Sequence, residues 1–241
     1  MTSATECPML SVVIPAYNEE KKIQRDLEDI FAYLSKQSYL SEVLLVDDGS
    51  TDGTLRCAKP FQQYPHFLQV ISRMPNRGKG YAVKTGMLQA CGEFLLFMDT
   101  GSCVPMYELE KGLVMLREGY DVAIASRAIA GSQMLQAAAA HRRLGGRVFR
   151  LLIRNFLGIR HVADTQCGFK LFRREAAHRI FSSQRTERMM FDLETVRNAQ
   201  KFGYRLGEFP VAWTCDADSR LTMGRGTMDI LKDIFRIKFE Q

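Results

Sequence analysis

The chain has 241 residues, 46% of them hydrophobic and 25% charged, which suits one large globular domain with a buried core. No stretch approaches the roughly 20 apolar residues needed to cross a bilayer, and the N-terminus lacks a signal-peptide pattern, so we expect a cytoplasmic protein. The six cysteines are scattered without a Cys-x-x-Cys pair, which argues against a zinc site or a disulfide framework.

The basic charge is concentrated in one segment. Between Asp121 and Asp164 there is no acidic residue. The seven arginines of this segment give it a charge of +7, which is larger than the net charge of +6 of the whole chain. We therefore expect an anionic partner for this segment alone, and not a generally sticky protein.

Apolar strand-like runs alternate with helical patterns through the first half of the chain. The predicted strands lie near residues 10–14, 43–47, 67–71, 93–97 and 121–125, and the predicted helices near 23–34, 54–64, 82–90 and 107–118. Alternation with short loops predicts an α/β fold in which a mainly parallel sheet is flanked by helices on both faces.

The stretch from Val43 to Thr54 combines a strand with an acidic turn. The strand ends in Asp47 and Asp48, and Gly49 then turns the chain toward Asp52, a suitable helix cap. Two adjacent carboxylates cannot both be buried without partners, so we expect them to meet a cation, a ligand or water. The alternative is a solvated acidic turn.

Polar side chains follow three of the predicted strands. Tyr17 and Glu19 follow the first, Asp47 and Asp48 end the second, and Asp99 follows the fourth. Because open α/β sheets bind ligands outside the carboxyl ends of their strands, these residues predict one ligand site at one rim of the sheet.

The arginine-rich segment carries a helical pattern of its own. Arg143, Arg147, Arg150 and Arg154 are spaced 4, 3 and 4 apart beside large apolar residues. This spacing favours a basic amphipathic helix lying on an anionic membrane surface. The alternative is a helix docked on the core with a solvated basic face.

After this segment the chain returns to mixed structure. We predict a turn and strand over 164–172, a helix from about 188 to 202, a last strand over 205–213 and an amphipathic helix over 228–239.

Several motifs occur together in a fixed order. They are Ser11–Glu20, Val46–Thr54, Asn76–Gly80, Ser126–Arg127, Asp164–Phe172, Arg188 with Phe191–Asp192, and Pro210–Thr214. Together they resemble the inverting family 2 glycosyltransferases of GT-A (Rossmann-like) fold, and within them the dolichyl-phosphate (polyprenyl-phosphate) β-glucosyltransferase branch, with dolichyl-phosphate mannose synthase as a near relative. The resemblance implies a single GT-A domain over 8–238, with a nucleotide-sugar half (8–126), a membrane-interfacial segment (127–163) and an acceptor half (164–238).

The resemblance also assigns the donor site. It implies that Pro15, Tyr17 and Glu19, with Asp47 or Asp48, hold the base and ribose of a nucleotide-diphosphate sugar, since carboxylates accept hydrogen bonds from such groups. Lys79 is expected near the base or the diphosphate; the alternative is a solvated basic loop.

Asp99 matches the first acid of the family's Asp-x-Asp motif, which binds Mg²⁺ or Mn²⁺ and implies a catalytic role. Here the motif reads Asp99-Thr100-Gly101, so the second acid is missing. One carboxylate with phosphate and water can suffice for Mg²⁺. A different ligand, a weak metal requirement and an inactive protein remain open.

The acceptor implied by the resemblance is a polyprenyl phosphate, which needs positive charge to sit beside another anion. Its candidate residues are Arg127 and Arg220 by motif, Arg142 and Arg143 by position and charge, and Asp164 and Gln166 in the acceptor loop. The resemblance also makes Arg127 and Asp192, an acid near the acceptor, candidate catalytic residues; the alternative for Asp192 is a carboxylate that stabilises the start of a helix.

The expected function is therefore transfer of one sugar, glucose from UDP-glucose, to a polyprenyl phosphate at the cytosolic membrane face. Another donor, GDP-mannose or UDP-N-acetylglucosamine, and a non-catalytic nucleotide-binding protein stay open. A phosphoacceptor receiver domain would leave the second half of the chain unexplained, and no aromatic platform supports a nucleic-acid partner. The sequence does not indicate an oligomeric state.

Overall fold

A computed structural model describes residues 7–63, 67–135, 155–159, 161–214 and 227–239. Strands and helices alternate along most of this chain, as the hydrophobic pattern predicts.

A seven-stranded sheet forms the centre of the fold. Its strands are β1 (Leu10–Ala16), β2 (Ser41–Asp47), β3 (Phe67–Ser72), β4 (Phe94–Met98), β5 (Val122–Ser126), β7 (Phe169–Arg173) and β8 (Leu206–Pro210). They lie in the order β3-β2-β1-β4-β7-β5-β8. Neighbouring strands are parallel, apart from β7, which runs antiparallel to β4 and β5. The prediction of a mainly parallel sheet is confirmed.

The predicted strand over 205–213 is wrong in one respect, because the structure divides it. β8 ends at Pro210, and β9 (Ala212–Trp213) instead pairs with β6 (Gln133–Met134) in a separate two-stranded sheet. Proline has no N–H to donate, so it ends a strand readily. The chain then changes partner, and the Gln133 N–H donates to the Val211 carbonyl at 3.0 Å.

Helices cover both faces of the large sheet. They are α1 (Ile23–Leu34), α2 (Thr54–Ala58), α3 (Lys79–Gln89), α4 (Leu109–Arg117), α5 (Arg174–Ser182), α6 (Phe191–Lys201) and α7 (Thr227–Phe239), with 3₁₀ turns at Lys59–Gln63 and Met106–Glu108. The expected helix from residue 54 to about 64 is therefore a short α-helix continued by a 3₁₀ turn.

Alternate residues of each central strand enter two separate cores. In β1, Val12 and Ile14 pack with α1 residues such as Leu27, whereas Val13 joins the core that contains Val83 of α3. Successive side chains on a strand point to opposite faces. Both faces of β1 are apolar because both are covered, as is usual for parallel strands.

The direction of the strands places several loops at one rim. β1, β2, β4 and β5 all end at the same edge, and the antiparallel β7 begins there, since Met98 is paired with Phe169. The segment before β7 therefore meets the loops after β4 and β5.

The predicted membrane-interfacial helix lies outside the described residues, which omit 136–154 and residue 160. The division of the domain into three functional parts stays a prediction.

Close packing of α3 on the sheet gives a test of the fold. A Cβ at Gly86 would lie 2.4 Å from a Val13 methyl carbon and 2.9 Å from a Val46 methyl carbon. We expect Gly86→Val to lower the free energy of unfolding, measured with urea, by about 1–3 kcal/mol, because overpacking forces the layers apart. The matched change Gln89→Val, at an exposed position of the same helix, should cost no more than about 0.5 kcal/mol. Equal losses would contradict this packing.

Candidate active site

The loops after β1 and β2 form one hydrogen-bonded unit at the rim. The Asn18 N–H donates to the Ser50 hydroxyl at 2.9 Å, and the Thr51 N–H donates back to the Asn18 side-chain oxygen at 2.8 Å. The Gly53 N–H donates to a Glu20 carboxylate oxygen at 2.8 Å. Tyr17 directly precedes Asn18 in this unit, and 37% of its surface is exposed.

Pro15 lies inside β1, next to Val46 of β2. The pairing of β1 with β4 stops at Val13, so the missing N–H of Pro15 breaks no bond on that side. Glu19 is in the following loop, where its N–H donates to the Thr54 hydroxyl at 2.8 Å. Its carboxylate is 3.6 Å from the Lys22 ammonium.

Asp47 is buried at the end of β2. Its carboxylate accepts hydrogen bonds from the Ser50 N–H at 3.1 Å and from the Ser72 hydroxyl at 2.8 Å. It thereby joins the end of β3 to the turn after β2.

Asp48 is also buried, and it holds the loop that precedes α3. Its carboxylate accepts hydrogen bonds from the Arg77 N–H at 3.0 Å, the Gly78 N–H at 2.6 Å and the Asn76 side-chain amide at 2.9 Å. The sequence predicted that the paired acids meet a cation, a ligand or water. In the structure, N–H and O–H groups of the protein donate hydrogen bonds to both carboxylates.

Asp99 follows β4 and forms an ion pair with Lys79, the first residue of α3. The Lys79 nitrogen is 2.7 Å from one Asp99 oxygen and 2.8 Å from the other. Both side chains are partly exposed, 24% for Lys79 and 30% for Asp99. Burial alone would lower the pKa of Lys79, but the Asp99 and Asp192 carboxylates raise it overall. Lys79 therefore stays charged.

Behind this pair lies a second, buried one that the sequence did not lead us to expect. Lys170 of β7 donates to Asp192, in the first turn of α6, and to the Cys167 carbonyl. Both side chains are nearly inaccessible, at 1% for Lys170 and 6% for Asp192. Burial raises the pKa of Asp192, against the opposing effect of the Lys170 and Lys79 charges. The sequence did hold a sign of this pair: Lys170 lies within the apolar strand 169–173, and a buried lysine needs an acidic partner.

Arg127, after β5, makes a bidentate ion pair with the buried Asp164. Its guanidinium donates at 2.6 and 2.9 Å, and its backbone N–H donates to the same carboxylate at 3.1 Å. Glu208 of β8 accepts from the Asp164 N–H at 2.9 Å and so fixes that loop. Burial alone would lower the pKa of Arg127, but the Asp164 hydrogen bonds and charge raise it.

Two neighbours of Asp164 complete this segment. Gln166 is half-buried between Thr165 and Cys167. Burial raises the pKa of the Cys167 thiol to about 12, so this thiol is protonated at neutral pH and is no nucleophile.

Gly101 stands where the second acid is missing, and the donor groups of this turn point to α1. The Gly101 N–H donates to one oxygen of the buried Asp26 at 2.6 Å, and the Ser102 hydroxyl donates to the other at 2.7 Å. The Ser102 hydroxyl, which lies next to the position of the missing acid, is thus directed at Asp26. Sequence reasoning missed Asp26, which occupies the buried face of α1 where an apolar residue is usual.

Within the described ranges, no group of three or more His, Cys, Asp or Glu side chains is placed to hold a metal ion. Asp99 is nevertheless a partly exposed carboxylate at the rim. It fits a cation whose other ligands come from a bound diphosphate and water.

The structure thus brings the predicted residues Tyr17, Glu19, Asp47, Asp48, Lys79 and Asp99 to one rim, and it places Arg127, Asp164 and Gln166 on the adjacent segments. Arg142, Arg143 and Arg220 lie outside the described residues. The ligand-binding role of each of these residues stays a prediction.

Comparison with known proteins decides the family. Residues 11–181 match the model of glycosyl transferase family 2. The chain belongs to glycosyl transferase family 2. The predicted family membership and GT-A fold are therefore confirmed.

Curated relatives of this family 2 chain are dolichyl-phosphate beta-glucosyltransferases. The human protein is 37% identical over 95% of this chain and 74% of its own length. The Drosophila melanogaster protein is 34% identical and the Saccharomyces cerevisiae protein 33% identical, each with the same two coverages.

Solved structures share the fold at lower identity. Glucosyl-3-phosphoglycerate synthase from Mycobacterium tuberculosis, in complex with Mn²⁺, UDP and glucosyl-3-phosphoglycerate, superposes with a TM-score of 0.61 at 22% identity, covering 95% of this chain and 76% of that one. A mannosyltransferase from Pyrobaculum calidifontis, in complex with GDP-Man and Mn²⁺, gives 0.60 at 21%, covering 90% and 59%.

The contacts of Asp48 predict that replacing this acid lowers the stability of the protein and loosens the loop before α3. In Asp48→Asn an amide NH₂ replaces one of the two acceptor oxygens, so that it would face the backbone N–H of either Arg77 or Gly78. We expect about 1–3 kcal/mol lower stability, since buried donors lose their acceptor, and faster hydrogen exchange of the Arg77 and Gly78 amides. Asp29→Asn, at an exposed position of α1, is the control. Unchanged exchange at 77–78 would show that Asp48 does not hold the loop.

Proposed function

We propose that this chain transfers glucose from UDP-glucose to dolichyl phosphate or a related polyprenyl phosphate, with inversion at the sugar C1. The proposal is supported above all by one observation: the Asp47 and Asp48 carboxylates, the Asp99–Lys79 pair and the Arg127–Asp164 pair share one rim of the sheet, in a chain 37% identical to the human glucosyltransferase. The rim thus offers separate places for a nucleotide and for a second anion.

The donor's base and ribose are proposed to bind at the loops after β1 and β2. Tyr17 offers an exposed ring for the base, and Pro15 and Glu19 border the same place. Asp47 and Asp48 shape this site by tying down the turns around it, and a carboxylate has enough lone pairs to accept a ribose hydroxyl as well.

The diphosphate is proposed to bind at Asp99 and Lys79. Mg²⁺ or Mn²⁺, held by Asp99 and by phosphate oxygens, would neutralise charge on the leaving group. The Lys79 ammonium supplies a positive charge from the chain itself.

The lipid phosphate is proposed to bind on the side of Arg127. A phosphate is ionised near neutral pH, so its oxygen can attack the sugar C1 with little general-base help. Asp164 holds the Arg127 guanidinium in a fixed orientation through two hydrogen bonds, and Gln166 lies on the same loop. Arg142, Arg143 and Arg220 are proposed to add charge for this anion.

A catalytic role of Asp192 remains part of the proposal. Its ion pair with Lys170 favours an indirect role, in which it positions Lys170 behind Asp99. The alternative donors GDP-mannose and UDP-N-acetylglucosamine, and a non-catalytic protein, are not favoured by relatives that are glucosyltransferases by name.

Transfer can be measured directly with labelled UDP-glucose and a short polyprenyl phosphate. We expect lipid-linked product that is reduced by EDTA and restored by Mg²⁺ or Mn²⁺. We expect Arg127→Lys to lower the rate at least about tenfold, because a lysine cannot make the bidentate contacts.

The control for this assay is Arg117→Lys, at an exposed position of α4. Product from GDP-mannose in place of UDP-glucose would contradict the donor. UDP binding without product from any donor would favour the non-catalytic alternative.

We further propose that the chain works at the cytosolic face of a membrane, which it contacts partly through α7. This helix buries Ile234 and Ile237 but exposes Leu231, Phe235 and Phe239. Phe156 packs on the two exposed phenylalanines, with ring centroids 5.7 and 6.3 Å away.

Basic side chains surround this aromatic patch. Lys232 and Arg236 are exposed on α7, and the Lys238 ammonium lies 5.6 Å from the centre of the Phe156 ring. Aromatic residues bordered by lysine and arginine suit the headgroup region of an anionic bilayer. None of the helices in the described part of the chain has the length and apolar character that a membrane crossing requires.

Sedimentation with phospholipid vesicles tests this contact. We expect wild-type protein to bind vesicles that contain phosphatidylserine, and the double variant Phe235→Ala/Phe239→Ala to bind about tenfold less, since two large apolar groups are lost. Tyr107→Ala removes another exposed aromatic side chain (57% exposed) and should bind normally. Equal binding by all three proteins would contradict a role for α7.

A further inference from the structure

The ammonium of Lys79 occupies both oxygens of the acid that is proposed to bind the metal. Its nitrogen lies 2.7 and 2.8 Å from the two Asp99 oxygens. A divalent cation bound to Asp99 would need those same oxygens. The lysine and a metal ion therefore compete for one carboxylate.

The position of Asp99 is fixed by close backbone contacts. Its N–H donates to the Gly168 carbonyl at 2.9 Å. A Cβ at Gly168 would lie only 2.0 Å from an Asp99 carboxylate oxygen, so this carboxylate packs directly on the backbone before β7.

The position of Lys79 is fixed as well. Lys79 begins α3 directly after Gly78, whose N–H is held by Asp48 at 2.6 Å. Its ammonium lies 5.5 Å from the ring centre of Phe97 and 5.9 Å from that of Phe191, within the range of cation–π attraction. Both partners of the ion pair are therefore held in place by other contacts, Asp99 by the backbone before β7 and Lys79 by the start of α3 and two aromatic rings.

The charge balance differs from that of a metal site with two acids. Gly101 contributes no carboxylate, and its N–H is directed at Asp26. Among the described residues, the Asp99–Lys79 pair places one carboxylate and one ammonium here, and the exposed Arg25 guanidinium adds a second positive charge, since it donates to the Gly101 carbonyl at 3.1 Å. Such a pair attracts a free divalent cation weakly, because Lys79 repels it, but it can present the ammonium to a diphosphate.

We infer that Lys79 is an exchangeable counter-ion, which neutralises Asp99 in the donor-free protein and turns to the diphosphate when the nucleotide binds. This inference rests on the proposed function, since it takes a nucleoside diphosphate as the ligand. Its consequence is that part of the nucleotide affinity comes from the chain and persists without metal. Asp99 opposes that part, because it holds the ammonium and repels the phosphates.

Calorimetric titration with UDP, in EDTA and in Mn²⁺, tests the exchange without turnover. Wild-type protein should bind UDP in EDTA. Lys79→Met should bind about tenfold more weakly in EDTA, because a charge-assisted hydrogen bond to phosphate is lost, and should gain more affinity from Mn²⁺ than wild type does, because Asp99 is then free for the cation. Asp99→Asn should bind UDP more tightly than wild type in EDTA, but should gain nothing from Mn²⁺.

Lys36→Met, an exposed lysine beyond the end of α1, serves as the matched control and should bind as wild type does. The two site variants act in opposite directions in EDTA, so a general loss of folding cannot imitate the expected pattern. Lys79→Met with wild-type affinity in EDTA, or Asp99→Asn with weaker affinity there, would overturn the inference. Absence of UDP binding by wild type in both buffers would instead contradict the proposed donor, and the inference with it.

Discussion

The Asp48 carboxylate is the contact on which the candidate site most depends. It is buried at the end of a central strand and is surrounded by N–H donors of the loop that leads into α3. A buried charge is tolerated when hydrogen bonds replace its hydration. The stable position of this loop fixes the start of α3, and with it the direction of the Lys79 side chain toward Asp99.

Opposite charges recur in pairs around the rim. Lys79 with Asp99 joins α3 to the loop after β4. Lys170 with Asp192 joins β7 to α6, and Arg127 with Asp164 joins the loop after β5 to the segment before β7. Removal of one partner from such a pair leaves an uncompensated charge, which is costly in a poorly hydrated place. The three ion pairs therefore hold the segments of the rim in place.

Much of the fold could be predicted from the sequence. The apolar runs ending in Asp47 and before Asp99 identified parallel strands, and strand alternation placed their polar residues on one rim. The pairings could not be predicted in the same way. Nothing local to Lys79 indicates that it meets Asp99, because the contact depends on how α3 sits on the sheet.

Two further differences between expectation and structure have physical causes. The strand expected over 205–213 is interrupted because Pro210 cannot donate a ladder hydrogen bond, and pattern reasoning weighed its apolar neighbours more heavily. The donors that hold Asp47 and Asp48 were not foreseen either, because the sequence does not show which backbone N–H groups the fold brings to these carboxylates; the expectation that they also meet a ligand stays a prediction.

The antiparallel strand β7 has a consequence for the order of folding. It lies between β4 and β5, which have no direct pairing with each other, although it follows both in the chain by more than 40 residues. A nascent chain that has reached β5 cannot yet close the sheet, and β5 must wait for residues 169–173. Asp99 and Arg127 then acquire Gly168 and Asp164 in the same event. The contacts of Asp48 and the Lys79–Asp99 pair use only residues that precede β5, whereas the contacts of Arg127 with Asp164 and of Asp99 with Gly168 require the segment before β7, so the two parts of the rim become complete at different chain lengths.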